Sequence, residues 1–215
     1  MTRFSAALFD LDGTLIDTER LVIDAAIQTL AGRGHRVERS FMVSLVGIAE
    51  VEGHRRLCTH LGVDVDYQSF NADWSRAIQH AYGSGIPLMP GVGTLLDILA
   101  AQGVPRAVAT NSSTKGALRK LVLAGISVHF EHVIGFDAVA LPKPAPDVFL
   151  AAAAQLRVDP AQCVVFEDSD TGVAAALAAG MVVVHVPDMA PPTRFDAHHR
   201  AASILDGARA CGLIA

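Results

Sequence analysis

The sequence predicts an α/β protein: a parallel sheet core with helices on both faces, plus an inserted small all-helical cap domain. Three observations carry that reading. Short apolar runs recur along the chain, and they are apolar throughout instead of alternating, as in strands buried on both faces. Stretches with apolar residues at helical spacing separate most of these runs, and strand–helix alternation builds parallel sheets. Between the first run and the next lie more than ninety residues with helical stripes and no convincing strand, far more than one crossover helix needs.

Ala6–Phe9 is the first strand, and Asp10-Leu11-Asp12-Gly13-Thr14 follows it. Residues 18–82 carry helical stripes: Val22, Ala26 and Leu30; Val51, His54, Cys58 and Leu61; Phe70, Trp74, Ile78 and Ala81. The chain leaves the sheet near Ile16 and returns through Gly83-Ser84-Gly85-Ile86-Pro87, whose composition suits a hinge. The expected boundaries are therefore 1–15 and 87–215 for the core, and 16–86 for the insert. Pro90–Ala101 is a helix with Val92, Leu95, Leu96 and Leu99 on one stripe and Gly103 as its stop. Val104–Ala109 is the second strand. Thr114–Ala124, with Ala117, Leu118, Leu121 and Val122, is a helix ending at Gly125, and His132–Phe136 is a weaker strand. Ala145–Leu156 and Asp170–Ala179 are alanine-rich helices; Cys163–Phe166 is a strand between them and Met181–Val186 a strand after them.

Composition excludes several classes of function. The chain has 215 residues, 51% hydrophobic and 18% charged, with a formal net charge of −5. Its 17 basic residues form no block, which argues against nucleic-acid and membrane partners. Cys58, Cys163 and Cys211 are odd in number and far apart, so reduced thiols are expected and no disulfide framework. The longest apolar stretch, residues 172–184, is too short to span a bilayer, and Asp10 and Asp12 interrupt the early apolar run, so no secretory signal is visible. A cytoplasmic location is expected.

In an open parallel sheet, ligands bind outside the carboxyl ends of the strands. Four polar clusters follow strands here: Asp10-Leu-Asp12-Gly-Thr14, Thr110-Asn111-Ser112-Ser113, Leu141-Pro-Lys143-Pro and Glu167-Asp168-Ser169. Asp10, Asp12, Glu167 and Asp168 would crowd negative charge into one crevice, and carboxylates at contact distance raise one another's pKa. A hard divalent ion with oxygen ligands removes that difficulty, and Mg2+ is the usual choice beside a phosphate. Lys143 and the backbone N–H groups opening the Thr114 helix would form an anion site opposite the metal. Metal, carboxylates and anion site together describe phosphoryl chemistry.

DLDGTLID, ATNSS, KPAPDVF and EDSDTGVAAALAAGM, in that order from residue 9 to about 181, resemble the four motifs of the haloacid dehalogenase-like hydrolase superfamily. The EDS-x-x-G form and the helical insert resemble its phosphoglucomutase-like, cap-bearing phosphatase branch. The resemblance implies a Rossmann-like core and a Mg2+-dependent phosphatase, a phosphoric monoester hydrolase acting on a small, sugar-phosphate-like metabolite. Asp10 matches the nucleophile that becomes an aspartyl-phosphate, and Asp12 the acid that protonates the leaving oxygen and later activates water. The Asp10 carboxylate, the Asp12 backbone carbonyl and the Asp168 carboxylate match the metal ligands. Thr110 and Asn111 match the phosphate-binding second motif, Lys143 the charge-neutralising third, and Glu167 an auxiliary acid near metal and lysine. The implied partner is a small-molecule phosphate ester, with the chain a monomer or weak homodimer.

Two alternatives stand beside this. A phosphomutase would carry a cap histidine ten residues after Asp12, where this chain has Val22, and cationic residues around the cap-loop glycine, where it has Val46, Gly47 and Glu50. A catalytically silent binding module would have lost a motif residue, and none is lost. Dehalogenases lack an acid at the place of Asp12. If the loop from Val46 to Glu50 faces the core, Gly47 and Glu50 join the substrate site, and Glu50 disfavours a second phosphate or carboxylate on the substrate. Arg55 and Arg56 could turn inward and cancel that effect; Glu50 could equally open a helix as an N-terminal acid. Thr110 to Ser113 could serve as a helix cap, His54 and Cys58 read as packing, and Trp74 as core of the insert.

Overall fold

The computed structural model describes residues 4–46, 48–189 and 195–215. The chain divides into two compact units, Thr18–Ile86 and Met1–Asp17 with Pro87–Ala215.

The described residues of the first unit form helices α1 (Thr18–Gly32), α2 (Arg39–Val43), α3 (Glu50–Leu61) and α4 (Tyr67–Gly83). Its interior is built from Ile23, Ala26, Leu30, Leu57 and Phe70. Trp74 stacks on Phe70 with ring centroids 5.5 Å apart, and its indole N–H donates to the Val22 carbonyl at 2.9 Å, tying α4 to α1. Asp66 caps α4 by accepting from the Ser69 N–H at 2.9 Å. His54 and Cys58 pack as expected: His54 Nε2 lies 2.8 Å from the Val65 carbonyl and 3.4 Å from Cys58 Sγ. Val51 departs from its stripe. It sits in the first turn of α3 and is 76% exposed, and Leu57 is the residue that helix buries.

The second unit holds a six-stranded parallel sheet in the order β3-β2-β1-β4-β5-β6. Its strands are β1 (Ala6–Phe9), β2 (Arg106–Ala109), β3 (His132–Ile134), β4 (Cys163–Glu167), β5 (Val182–His185) and β6 (His199–Arg200). Every residue of β1 is fully buried, as expected for an unbroken apolar run at the centre of a covered sheet. Pro105 has no N–H to give a ladder, and β2 begins after it, two residues later than the apolar run suggests.

Helices α5 (Val92–Ala101), α6 (Thr114–Leu123), α7 (Asp147–Leu156), α8 (Asp170–Ala178) and α9 (Ile204–Ala210) complete this unit. Alternation along the strands sorts side chains onto two faces. Ala6, Leu8, Ala107, Ala109, Val165 and Val183 meet the alanine-rich sides of α7 and α8, where small residues let helix and sheet approach closely. On the other face Phe9 stacks on Phe166 at 5.1 Å, and Gly207 of α9 packs on Val184 and Phe166. The ends of the insertion lie side by side within this unit: the Asp17 N–H donates to Pro87 O at 2.9 Å, and the Met89 N–H to Leu15 O at 3.0 Å. No helix among the described residues is long and apolar enough to cross a membrane.

Candidate active site

Strand order reverses direction at β1, since β2 and β3 lie to one side and β4 to β6 to the other. The crevice outside the carboxyl end of β1 is therefore the place where an open α/β sheet binds ligands. Asp10 is the first residue beyond β1, and its N–H donates to Phe166 O at 3.0 Å, so the ladder itself fixes its position. Gly13 turns the chain at φ +84°, and an added Cβ there would sit inside contact distance of Asp168 Oδ2. A residue without a side chain is thus needed on two counts. Thr14 Oγ1 donates to Asp168 Oδ1 at 3.1 Å and joins the loop to the end of β4.

Lys143 reaches into this corner with its side chain 3% exposed. Its ammonium group donates to Asp10 Oδ1 at 2.5 Å and to Glu167 Oε1 at 2.5 Å, and lies 4.7 Å from the centroid of the Phe149 ring. The second Glu167 oxygen accepts from Ser169 Oγ at 3.0 Å and the Ser169 N–H at 3.3 Å. Burial pushes the Asp10 carboxyl up to about 7; Lys143 pulls it down, and the charges of Glu167 and Asp12 raise it again. Burial works against the charge on Lys143, but Asp10 and Glu167 outweigh it and hold the lysine above its ordinary value. The ammonium therefore stays charged, and the surplus of the corner is negative.

Thr110, 2% exposed, receives the Ser112 N–H on Oγ1 at 3.1 Å. The Asn111 amide is spent on Lys143: its Oδ1 accepts from the Lys143 N–H at 2.9 Å, and its Nδ2 donates to the Lys143 carbonyl at 3.2 Å. Asn111 thus holds the segment that delivers the lysine. The first turn of α6 is less open to an anion than the sequence suggests. The Thr114 N–H donates to Asp137 Oδ1 at 2.7 Å, which holds that carboxyl below the usual range, and the Gly116 N–H donates to Ser113 Oγ at 3.2 Å. Capping has taken these donors because a helix start leaves them unsatisfied.

Asp12 is gripped by Ser112, just before α6, and by Lys120 within it. Ser112 Oγ donates to its Oδ2 at 2.8 Å, and Lys120 Nζ donates to Oδ1 at 2.8 Å and Oδ2 at 2.7 Å. Sequence reasoning missed Lys120, and it placed Ser112 in the polar cluster after the second strand without linking it to Asp12. Asp137 was missed as well, since its only signal is an acid 23 residues from the helix it caps.

Asp10, Glu167 and Asp168 each offer a carboxylate oxygen, all within 4.8 Å of one another and all on buried residues. Hard oxygen donors, a negative surplus and a glycine that lets the backbone approach Asp168 fit a hard divalent cation. In the helical unit, Gly47 lies outside the described residues. Glu50 opens α3 as an exposed acid and accepts from Asn71 Nδ2 at 2.8 Å. Arg55 and Arg56 both pair with Glu52, at 2.7 and 2.8 Å.

A family model described as haloacid dehalogenase-like hydrolase matches residues 4–180. The chain is 35% identical over 195 residues to the bifunctional riboflavin kinase/FMN phosphatase of Arabidopsis thaliana, over 88% of this chain and 50% of that protein. It is 31% identical over 186 residues to the fructose-1-phosphate phosphatase YqaB of Escherichia coli, over 86% of this chain and 97% of that protein. A solved structure of a family hydrolase from Deinococcus radiodurans, with bound phosphate and sodium, matches with a TM-score of 0.83 at 29% identity, over 100% of this chain and 99% of that one. The chain spans half the length of the plant protein and nearly all of the two bacterial ones. It belongs to the haloacid dehalogenase-like hydrolases.

Proposed function

We propose that this chain is a Mg2+-dependent phosphatase that hydrolyses a small, sugar-phosphate-like monoester through an aspartyl-phosphate on Asp10. The observation that carries the reading is the buried Asp10 carboxylate, 2.5 Å from Lys143 and within the oxygen cluster of Glu167 and Asp168. A carboxylate is a weak nucleophile toward a phosphate dianion, so charge must first be cancelled around it. Lys143 supplies one positive charge. Asp10, Asp168 and the Asp12 carbonyl would hold Mg2+, with Glu167 beside them; the ion supplies further charge cancellation when bound.

Asp10 attacks phosphorus, the bond to the leaving oxygen breaks, and Asp12 gives that oxygen its proton. Asp12 then takes a proton from the water that cleaves the Asp10–phosphorus bond, which restores both residues and releases phosphate. Thr110 is the side chain beside the transferred group. The helical unit Thr18–Ile86 is the cap domain in this reading, joined to the core through the segments near Ile16 and Gly83–Pro87.

Relatives named for FMN and fructose 1-phosphate point to a shared chemistry: each compound is the monophosphate of a primary alcohol on a polyhydroxylated chain. If Glu50 meets the substrate, its charge, with Arg55 and Arg56 paired to Glu52, makes neutral polyol or sugar monophosphates preferred to bisphosphates and phospho-acids. The test is phosphate release from fructose 1-phosphate, glycerol 1-phosphate, FMN, fructose 1,6-bisphosphate and phosphoglycolate, with Mg2+ and with excess EDTA. Monophosphate turnover only with Mg2+ is expected. A higher specificity constant for the bisphosphate would overturn the selectivity, and no turnover of any ester would overturn the phosphatase reading.

A further inference from the structure

We infer that Lys120 is a positioning residue that, with Ser112, holds the Asp12 carboxylate in place for proton transfer to the leaving group; the inference rests on the proton-transfer role proposed for Asp12. The geometry is a closed ring of hydrogen bonds. Lys120 Nζ lies 2.8 and 2.7 Å from the two Asp12 oxygens and 3.0 Å from Ser112 Oγ. The Ser112 hydroxyl completes the ring, donating to Asp12 Oδ2 at 2.8 Å. The Lys120 side chain is 19% exposed and that of Asp12 29%, so the pair stands at the edge of the buried corner and not on open surface.

An exposed lysine–carboxylate pair usually adds little stability, because ordering two side chains offsets the attraction. This one differs in what it orders. A proton carrier works only within about 2.6–3.2 Å of the atom it serves, so fixing its rotamer acts on rate even where it adds little stability. The site has two lysines with separate duties. Lys143 pairs with Asp10 and Glu167, and Lys120 is the one that meets Asp12.

The chemistry of the leaving group separates this role from a structural one. When Asp10 bonds to phosphorus, an alkyl phosphate must expel an alkoxide that needs the Asp12 proton, whereas p-nitrophenolate leaves as a stable anion without it. The measurement is kcat/KM, which reports the steps through leaving-group expulsion, for p-nitrophenyl phosphate and for the alkyl monophosphate that the wild type turns over best. Wild type, Lys120→Met, Lys120→Arg, Ser112→Ala and Asp12→Asn are compared, with thermal melts on each. The alkyl-to-aryl ratio is expected to fall by about 10–100-fold in Lys120→Met, part of the ~10²–10⁴-fold typical of acid–base catalysis. Lys120→Arg should recover most of it, and Ser112→Ala should show a smaller fall of the same kind. A ratio unchanged in Lys120→Met while Asp12→Asn lowers it would overturn the role of Lys120 alone. A ratio unchanged in Asp12→Asn would overturn the proton-transfer reading itself. If Lys120→Met does not fold, Ser112→Ala and Lys120→Arg decide: an unchanged ratio in the former rejects the clamp.

Discussion

Substituting Lys143→Met keeps the length of the side chain and removes the one ammonium that meets both Asp10 and Glu167, each at 2.5 Å. Breaking a buried pair from one side leaves the remaining charge uncompensated, at a cost of about 3–5 kcal/mol. For a chain of this size each kcal/mol moves Tm by ~2–4 °C, so the metal-free variant should melt about 6–20 °C below wild type at pH 8. The pH dependence has a definite sign. The Asp10 carboxyl in the folded protein lies at about 7, above its ordinary 3.8, so folding binds a proton between those values. Stability from this group is complete below about pH 4 and is lost as pH rises through 7. Without Lys143 nothing opposes that upward push, so neutral Asp10 persists to higher pH and the deficit of the variant narrows at pH 5. Millimolar Mg2+ should raise Tm more in the variant than in wild type, because the ion restores positive charge to the same carboxylates. Melts of both proteins at pH 5 and 8, in EDTA and in Mg2+, read all of this. Equal Tm values at pH 8 in EDTA would refute the claim that Lys143 balances the corner, and a deficit independent of pH would refute the part assigned to Asp10.

Asp10→Asn should abolish phosphate release while its Tm at pH 8 equals or exceeds that of wild type, because a buried charge is removed; measurable turnover would exclude the covalent mechanism. Gly13→Ala forces a side chain into a left-handed backbone, costing about 1–2 kcal/mol, and drives it against Asp168. Its Mg2+ affinity by calorimetry should fall about 10–100-fold, and an unchanged affinity would remove Asp168 from the metal site. Excess EDTA should stop turnover, and Ca2+ should bind yet support little of it, since its looser coordination places the nucleophile poorly; full activity in EDTA would refute the metal assignment.

The parts of the core that were legible in sequence are those where burial and charge meet abruptly. Ala6–Phe9 could be read because four apolar residues end at two carboxylates, and Glu167-Asp168 for the same reason. The end of the sheet was not legible: β6 has two residues, and α9 has seven with Gly207 at its middle, too few for either period to register. Lys120 was hidden by a stripe drawn too wide. Leu118 and Val122 are 47% and 64% exposed, and the buried line is Ala117 and Leu121, which leaves Lys120 at its margin, facing the strand ends. A lysine three residues after a buried alanine was the available signal, but its partner Asp12 is 108 positions away. Asn111 reads as a ligand group by its motif, and only the fold reveals that its amide is occupied by the Lys143 backbone.

The central position of β1 has a consequence for biosynthesis. Its two neighbours, β2 and β4, end at Ala109 and Glu167, so the first strand translated waits for partners made far later. At roughly 5–20 residues per second, the interval from β1 to the end of β4 is about 10–30 s. The helical unit Thr18–Ile86 emerges whole within that interval, and the elements it packs together all lie within its own span, so it need not wait for β2 or β4. The nascent chain therefore carries the helical unit with an unpaired, wholly apolar strand on its N-terminal side, a ready target for a chaperone that binds short extended hydrophobic segments. Central placement, which leaves β1 no exposed edge in the finished protein, makes the same four residues its most vulnerable stretch during synthesis.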